Sequence, residues 1–311
     1  MSGCGIVKTN SGNGGVVSFT SPDLFDQNHA ASLTTHNDVN SILIVLNMPI
    51  QPQPQSPSLE RLWRCSQHRI CADGGANRLY QYNKEYIPDR IRGDLDSLNE
   101  EVRAYYEGHN VSVEQDPCQD TNDLDKALQI CCAVQATTNT EQEASTTCAA
   151  TTTTTTTTTS RPPRIYVYGA FGGRFDQEMA SFAALYKWAP RFDWQMYLYS
   201  EETCAFLLPA DRPCEIQLTF YDGKEPDQPT DDAEMMEHLS VGEGPTCGLL
   251  PLACRCDSIT TTGLKWDLDG TIAMEFGGLV STSNRIMNDV VTVTTSHPVI
   301  FTAELQRCKT P

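Results

Sequence analysis

The residues of this chain that could do chemistry are carboxylates. Asp73 precedes Gly74-Gly75-Ala76-Asn77, and Asp94 and Asp96 lie in Gly93-Asp94-Leu95-Asp96-Ser97. Asp120 and Asp123 fall in Gln119-Asp120-Thr121-Asn122-Asp123-Leu124-Asp125-Lys126, and Asp176 closes Gly172-Gly173-Arg174-Phe175-Asp176. Each group sits where a short strand hands over to a loop or helix. In open α/β sheets, ligands bind beyond the carboxyl ends of the strands. Six carboxylates brought together there repel one another unless a cation lies among them. Hard oxygen donors suit Mg2+, which takes a few carboxylates plus waters and substrate phosphates. The glycines between Gly169 and Gly173 allow a backbone to approach phosphate, and the helix N-terminus that follows favours an anion. No Gly-Lys-Ser/Thr follows them, so the turn is not a Walker A loop. Arg174 and Lys126 are suited to pair with a phosphate or with a neighbouring carboxylate.

Each piece also has a plainer use. Asp120 and Asp123 are spaced to cap a helix and favour its dipole. A lone Asp-x-Asp arises easily by chance, and Asp73 before two glycines makes an ordinary turn. Gly169 to Gly173 would also serve as a tight strand-to-helix turn. Trp266 is by default a core anchor, with a stacking platform as the alternative. Ser281-Thr282-Ser283-Asn284 reads as a polar strand end.

The elements that must position these groups follow from periodicity. Ser41 to Leu46 is a continuous apolar strand, as in a parallel sheet covered on both faces. Arg69 to Ala72, Pro88 to Arg92, Val111 to Glu114 and the run around Ile165 and Val167 predict further strands. A helix is predicted over 120–134, with Leu124, Ala127, Leu128, Cys131 and Val134 on one face, and another carries Phe175, Met179, Phe182 and Tyr186. Strand–helix alternation predicts an α/β N-terminal catalytic domain with a mainly parallel sheet over residues 41–202. After residue 203 helical stripes give way to β-rich runs, predicting an all-β sandwich C-terminal domain over 203–311. Asp269-Gly270 signals a hairpin between Trp266–Leu268 and Thr271–Phe276. Three stretches lack a core pattern: residues 1–40, the insertion 137–160 with fourteen threonines, and the acidic stretch 222–244. Polar tracts of this kind cannot bury enough apolar area to offset their ordering entropy, so they are expected to stay unpacked.

The whole chain of 311 residues has a formal charge of −18, which disfavours nucleic acid and anionic membrane as partners. No apolar run approaches the ~20 residues of a membrane span, and no secretory h-region is present. Thirteen cysteines without a repeated spacing point to reduced thiols and a cytoplasmic location.

The order and joint spacing of these blocks are more specific than any one of them. Asp-Gly-Gly-Ala-Asn at 73–77, Gly-Asp-Leu-Asp-Ser at 93–97, Gln-Asp-Thr-Asn-Asp-Leu-Asp-Lys at 119–126 and Gly-Gly-Arg-Phe-Asp-Gln at 172–177 resemble the catalytic domain of thiamine pyrophosphokinase. Thr-Thr-Thr-Gly-Leu-Lys-Trp at 260–266 and Leu-Val-Ser-Thr-Ser-Asn at 279–284 resemble the thiamine-binding β domain of that family. The resemblance implies pyrophosphoryl transfer from ATP to the thiamine hydroxyl, with Mg2+, giving thiamine diphosphate and AMP. It also implies a homodimer whose active sites lie where one subunit's catalytic domain meets the other's β domain. Carried over by position, Asp94, Asp96 and Asp123 match the metal-site acids, and Arg174 joins them as catalytic. Asp73, Gly74, Gln119, Asp120, Lys126, Gly173 and Asp176 match the nucleotide and pyrophosphate lining. Trp266, Ser281, Ser283 and Asn284 match the thiamine side. Either Asp94 or Asp96 would accept the hydroxyl proton. The chain departs from the pattern at Cys118, where aspartate is frequent, and at Asn122, where threonine is. Leu95 and Leu124 replace frequent phenylalanines. Two other function classes remain: another metal-dependent phosphate-ester enzyme such as a nucleotide-sugar transferase, and a non-catalytic thiamine or nucleotide binder.

Overall fold

The computed structural model describes residues 15–22, 41–52, 56–132, 162–218 and 241–307. The expected insertion 137–160 lies outside them. In chain order the strands are β1 (Val17–Thr20), β2 (Ser41–Val45), β3 (His68–Ala72), β4 (Arg90–Gly93), β5 (Ser112–Gln115), β6 (Arg164–Tyr168) and β7 (Met196–Tyr199). They continue with β8 (Thr203–Leu208), β9 (Cys214–Gln217), β10 (Val241–Leu250), β11 (Ile259–Thr262), β12 (Ser281–Arg285), β13 (Val291–Thr295) and β14 (Val299–Arg307). The helices are α1 (Pro57–Cys65), α2 (Gly75–Tyr82), α3 (Glu100–Gly108), α4 over residues 123–132 and α5 (Phe175–Trp188).

One ten-stranded sheet, ordered β12-β10-β14-β8-β7-β6-β2-β3-β4-β5, runs through both halves of the chain. The strands from β7 to β5 pair parallel, and those from β7 to β12 pair antiparallel. The sheet is therefore mixed and continuous across both expected regions, with β8 hydrogen-bonded to β7. A second sheet, β1-β9-β13-β11, packs over it in the C-terminal half. Phe19 of β1 stacks on Phe206 of β8 at 4.7 Å, and Phe206 stacks on Phe301 of β14 at 5.3 Å.

Strand alternation divides the core. Ile42 and Ile44 of β2 face α4 and α5, beside Leu128, Leu185 and Trp188. Leu43 and Val45 face the other layer, with Leu59 and Leu62 of α1 and Leu79 of α2. All five residues of β2 are buried because both faces are covered.

Three expectations change at element edges. The stretch 1–40 was expected to be unpacked, yet Val17–Thr20 pairs parallel with β9 and Phe19 is fully buried. Alternating Val17 and Phe19 point into the core, a two-residue pattern too short to stand out among polar neighbours. The acidic stretch 222–244 ends inside β10, where Glu243 is fully buried. Its carboxylate takes Arg61 at 2.8 Å, the Ser21 hydroxyl at 2.6 Å and the Tyr199 hydroxyl at 3.2 Å, so this charge is paired and fully hydrogen-bonded. The hairpin expected around Asp269-Gly270 does not form. Asp269 Oδ1 instead accepts the Thr271 amide at 3.0 Å, and the flanking residues bridge back to Thr260 and Cys256. Among the described residues no helix is long and apolar enough to cross a membrane.

Candidate active site

The chain leaves β2 towards β3, β4 and β5 on one side and returns to β6 and β7 on the other. That reversal opens a crevice at the carboxyl ends of β2, β3, β4 and β6. A cavity of about 400 Å³ occupies it. Asn47 and Met48 after β2, Asp73 after β3, Ser97 after β4, Asn122 and Asp123 at the start of α4, and Gly173 and Arg174 before α5 line it. Gly74 contributes space: a Cβ there would lie 2.3 Å from Asn47 Nδ2. At Gly93 a Cβ would lie 2.5 Å from Asp73 Cβ and 3.1 Å from Asp123 Oδ1, so only glycine lets those two acids approach.

Asp73, Asp94 and Asp123 each offer a carboxylate oxygen, all within 4.8 Å of one another. Asp73 is buried, with a left-handed φ of 43° that lifts its side chain off the end of β3. Its Oδ2 accepts the Ser97 amide at 3.3 Å, while its buried Oδ1 has no hydrogen-bond partner among the described residues. An orphaned buried carboxylate oxygen is costly unless a cation or water meets it. Burial holds the Asp73 carboxyl above its ordinary range, with Asp123 and Asp94 adding to the effect. Burial likewise raises Asp123. For Asp94 burial is outweighed by the Asp96 amide and Lys126, and its carboxyl falls below the ordinary range. The fully buried Lys126 places Nζ 3.3 Å from Asp94 Oδ2 and 3.3 Å from Asp123 Oδ1. One ammonium among three carboxylates leaves an excess of negative charge on hard oxygens, a donor set that fits Mg2+.

This group differs from the acids chosen by sequence. Asp73 belongs to it, and Asp96 does not. Leu95 sits between Asp94 and Asp96 at φ 65°, and that left-handed turn carries Asp96 to the exposed rim, where it accepts the Ser97 hydroxyl at 2.9 Å. Asp120 is exposed on the loop before α4. The helix is capped instead by Asn122, whose Oδ1 takes the Asp125 amide at 2.7 Å, so α4 starts at 123 rather than 120. Leu124, Ala127, Leu128 and Cys131 are buried on its core face, and Val134 lies outside the described residues. Gln119 approaches Asp94 Oδ2 at 3.5 Å.

The glycine turn behaves otherwise than expected. The amides of Gly172 and Gly173 donate to Glu178 Oε1 at 2.8 and 3.3 Å. Arg174 forms a two-point pair with the exposed Asp176 at 3.1 and 2.5 Å. Arg174 borders the cavity, and Asp176 stands outside its lining.

The C-terminal residues form a second cluster. Asn284, buried on β12, accepts the Trp266 amide at 3.2 Å, donates to the Trp266 carbonyl at 2.9 Å and to Ser281 Oγ at 3.4 Å. Trp266 is 56 % exposed, so it is no core anchor, and Lys265 Nζ lies 4.5 Å from its ring centroid. Ser283, at φ 57°, is exposed beside it. None of these four residues lines the β2–β6 crevice of the same chain.

Comparison with known proteins assigns the two clusters to one family. Residues 59–198 match the thiamin pyrophosphokinase catalytic domain, and 235–300 match the thiamin pyrophosphokinase vitamin B1 binding domain. Thiamine pyrophosphokinase 1 of Oryza sativa subsp. japonica is 33% identical over 261 residues, covering 79% of this chain and 81% of its own. The chain belongs to the thiamin pyrophosphokinase family. Thiamine pyrophosphokinase 2 of Arabidopsis thaliana is 32% identical over 283 residues, 86% of this chain and 88% of its own. The thiamin pyrophosphokinase structure from Candida albicans superposes with a TM-score of 0.66 at 25% identity, covering 95% of each chain. β1 and β2 fall outside both matched segments, although Asn47 and Met48 line the crevice. Sequence reasoning missed Asn47, Ser97 and Glu178. Asn47 directly follows the most apolar strand, which was the available signal. Ser97 closes the Gly93–Ser97 motif but contributes its backbone amide, which its residue type does not signal, and Glu178 lies outside every motif.

Proposed function

We infer that this chain carries out the thiamine pyrophosphokinase reaction, moving the pyrophosphoryl group of ATP onto the thiamine hydroxyl and releasing AMP. The observation that carries it is the orphaned Asp73 oxygen within the Asp73–Asp94–Asp123 group, set at the switch point of the sheet. Asp73, Asp94 and Asp123 would hold Mg2+, which supplies neutralisation of phosphate charge when bound. Lys126 fixes Asp94 and Asp123, and Arg174 at the cavity rim is free to exchange Asp176 for a phosphate. Of the two carboxylates weighed as base, Asp94 is engaged by Lys126 and held low, which makes it a weak base. Asp96, exposed at the rim and accepting the Ser97 hydroxyl, is the other candidate for the hydroxyl proton.

Thiamine, with a cationic thiazolium, suits the open face of Trp266. β12 stands six strand positions from β2, roughly 30 Å at ~4.8 Å per strand. A second copy of the chain would bring one subunit's Trp266 to the other's crevice. The exposed Ile272, Phe276 and Met287 of the same region support such a contact. A cytoplasmic location agrees with the ten described cysteines being free thiols.

The test is release of AMP from ATP with Mg2+, with and without thiamine. AMP should appear only with thiamine. UDP-sugar turnover independent of thiamine, or thiamine binding without AMP at any Mg2+ concentration, would refute the assignment.

A further inference from the structure

The loop that carries Asp94 leaves β4 at Gly93 and enters α3 at Glu100. Inside it Leu95 takes a left-handed φ of 65°, which a bulky side chain adopts only where its surroundings hold it there. Much of that restraint comes from one side chain. Asn77, buried on the first turn of α2, donates from Nδ2 to the Ser97 carbonyl at 2.6 Å and accepts the Asn99 amide on Oδ1 at 3.0 Å. A carbonyl on one side and an N–H on the other need both halves of a carboxamide, in one orientation. An ionised aspartate would offer no donor to Ser97, and leucine would make neither bond. The loop is also packed closely against the helix: a Cβ on Gly74 would lie 3.1 Å from Ser97 Cβ.

The other anchors of this loop are narrower or are committed elsewhere. Gln115 Nε2 holds only the Asp94 carbonyl, at 2.9 Å. The Ser97 amide donates to Asp73 Oδ2 at 3.3 Å, and Asp73 is itself one of the three grouped acids. A carboxylate that turns towards a cation can release that amide. The Asn77 bonds use no atom of the three acids, so they hold Ser97 with or without a cation. Ser97 in turn donates its hydroxyl to Asp96 Oδ1 at 2.9 Å. Fixing Ser97 therefore fixes the span between Asp94, inside the group, and Asp96 at the rim. Asn77 itself does not line the crevice. We propose that Asn77 is a positioning residue of the reaction, setting the Asp94–Ser97 turn so that Asp94 meets Asp73 and Asp123 before a metal arrives. The inference rests on the pyrophosphokinase assignment for the reaction served, while the positioning can be read without turnover.

Asn77→Ala removes both bonds; alanine suits a helix, and water can reach the freed groups because Ser97 and Asn99 are exposed residues. Asn99→Pro removes one bond from the loop side, at a φ of −66° that proline already prefers. Two measurements on the full chain need no turnover: hydrogen exchange in EDTA, and binding of Mn2+, which takes the same oxygen donors as Mg2+ and is counted by its free-ion electron-resonance signal. In Asn77→Ala the 94–99 peptide should exchange at least about tenfold faster while peptides of β2 and β6 keep their protection. The Mn2+ dissociation constant should rise about tenfold in Asn77→Ala and about threefold in Asn99→Pro. Unchanged loop exchange and unchanged Mn2+ binding would overturn the proposal. So would exchange that quickens equally in β2 and β6, since Asn77 would then support the whole layer rather than the turn. If Asn77→Ala does not fold, Mn2+ binding by Asn99→Pro decides alone. Weaker Mn2+ binding in the variants of a chain that releases no thiamine-dependent AMP would sustain the positioning and remove the reaction. AMP release by wild type, with loop exchange and Mn2+ binding unmoved in the variants, would do the reverse.

Discussion

Lys126 ties Asp94 to a second element: its buried ammonium, on α4, lies 3.3 Å from the Oδ2 of an acid that follows β4. The same nitrogen meets Asp123 one turn back on its own helix. Replacing it by Lys126→Met leaves three carboxylates without a compensating cation. Thiamine-dependent AMP release should fall by orders of magnitude. The rise in melting temperature on adding Mg2+ should be larger than in wild type, because the unbalanced acids gain more from the metal. A smaller Mg2+ response would show that Lys126 is part of the metal's support instead.

The carboxylates can be ranked. Asp73→Asn and Asp94→Asn should each raise the Mg2+ concentration needed for half-maximal AMP release by at least about tenfold, since each removes charge from the metal site. Asp96→Asn should leave that midpoint within about twofold and act on turnover alone. A Mg2+ midpoint that moves for Asp96→Asn and not for Asp73→Asn would restore the set chosen from sequence.

Subunit sharing predicts complementation. Trp266→Ala should weaken thiamine several-fold, in keeping with a lost cation–π contact of about 1 kcal/mol, and leave ATP unaffected. Asp94→Asn alone should be nearly inactive. Mixed, allowed to exchange and assayed at thiamine below the raised KM of Trp266→Ala, the two variants should exceed the average of the separate variants, because half the dimers carry one intact composite site and about a quarter of all sites are wild-type. Activity of the mixture equal to the average of the separate variants would exclude a shared site.

Acid–base linkage gives a prediction in metal-free buffer. Asp73 is raised by burial, so the folded chain holds its proton more tightly than the unfolded chain. Stability therefore falls as pH rises from the ordinary carboxylate range through the raised value. Asp73→Asn removes that penalty: in EDTA its melting temperature should match wild type at low pH and exceed it increasingly up to neutrality. Asp94, lowered by its amide and lysine contacts, works in the opposite direction and should not show this gain on substitution. Added Mg2+ should close the gap for Asp73→Asn by stabilising wild type.

β1 supplies the fifth test. Phe19→Ala should cost about 3–5 kcal/mol, as for a fully buried phenylalanine, read as a denaturation midpoint shift. A neutral result would show that the second sheet does not depend on its first strand.

The sequence was most informative where one residue type serves one period. Ser41–Val45 is apolar throughout because both faces are covered, and the buried side of α4 follows its 3.6-residue stripe. Asp94 was identifiable because it directly follows β4, and Asp123 because it opens α4. Asp96 stands outside the Asp73–Asp94–Asp123 group because Leu95 takes a left-handed φ, and a φ angle at a leucine leaves no trace in composition. Glu243 was hidden for a related reason. It looks like the end of an acidic run, but Arg61 and Ser21, distant in sequence, neutralise it. The glycine turn was found, and its occupant was not, because Glu178 closes back on the turn through backbone amides.

The pairing of β1 with β9 also sets a timetable. Val17 and its partner Cys214 lie 197 residues apart, with the whole parallel sheet β2–β7 between them, so Cys214 is made only after that sheet. At about 5–20 residues per second that is a wait on the order of ten seconds or more. During it Phe19 has no second sheet to enter, because β9 is itself held by β13, made later still. The nucleotide half can therefore assemble while β1 stays unmated, and β1 docks only once β9 and β13 have followed.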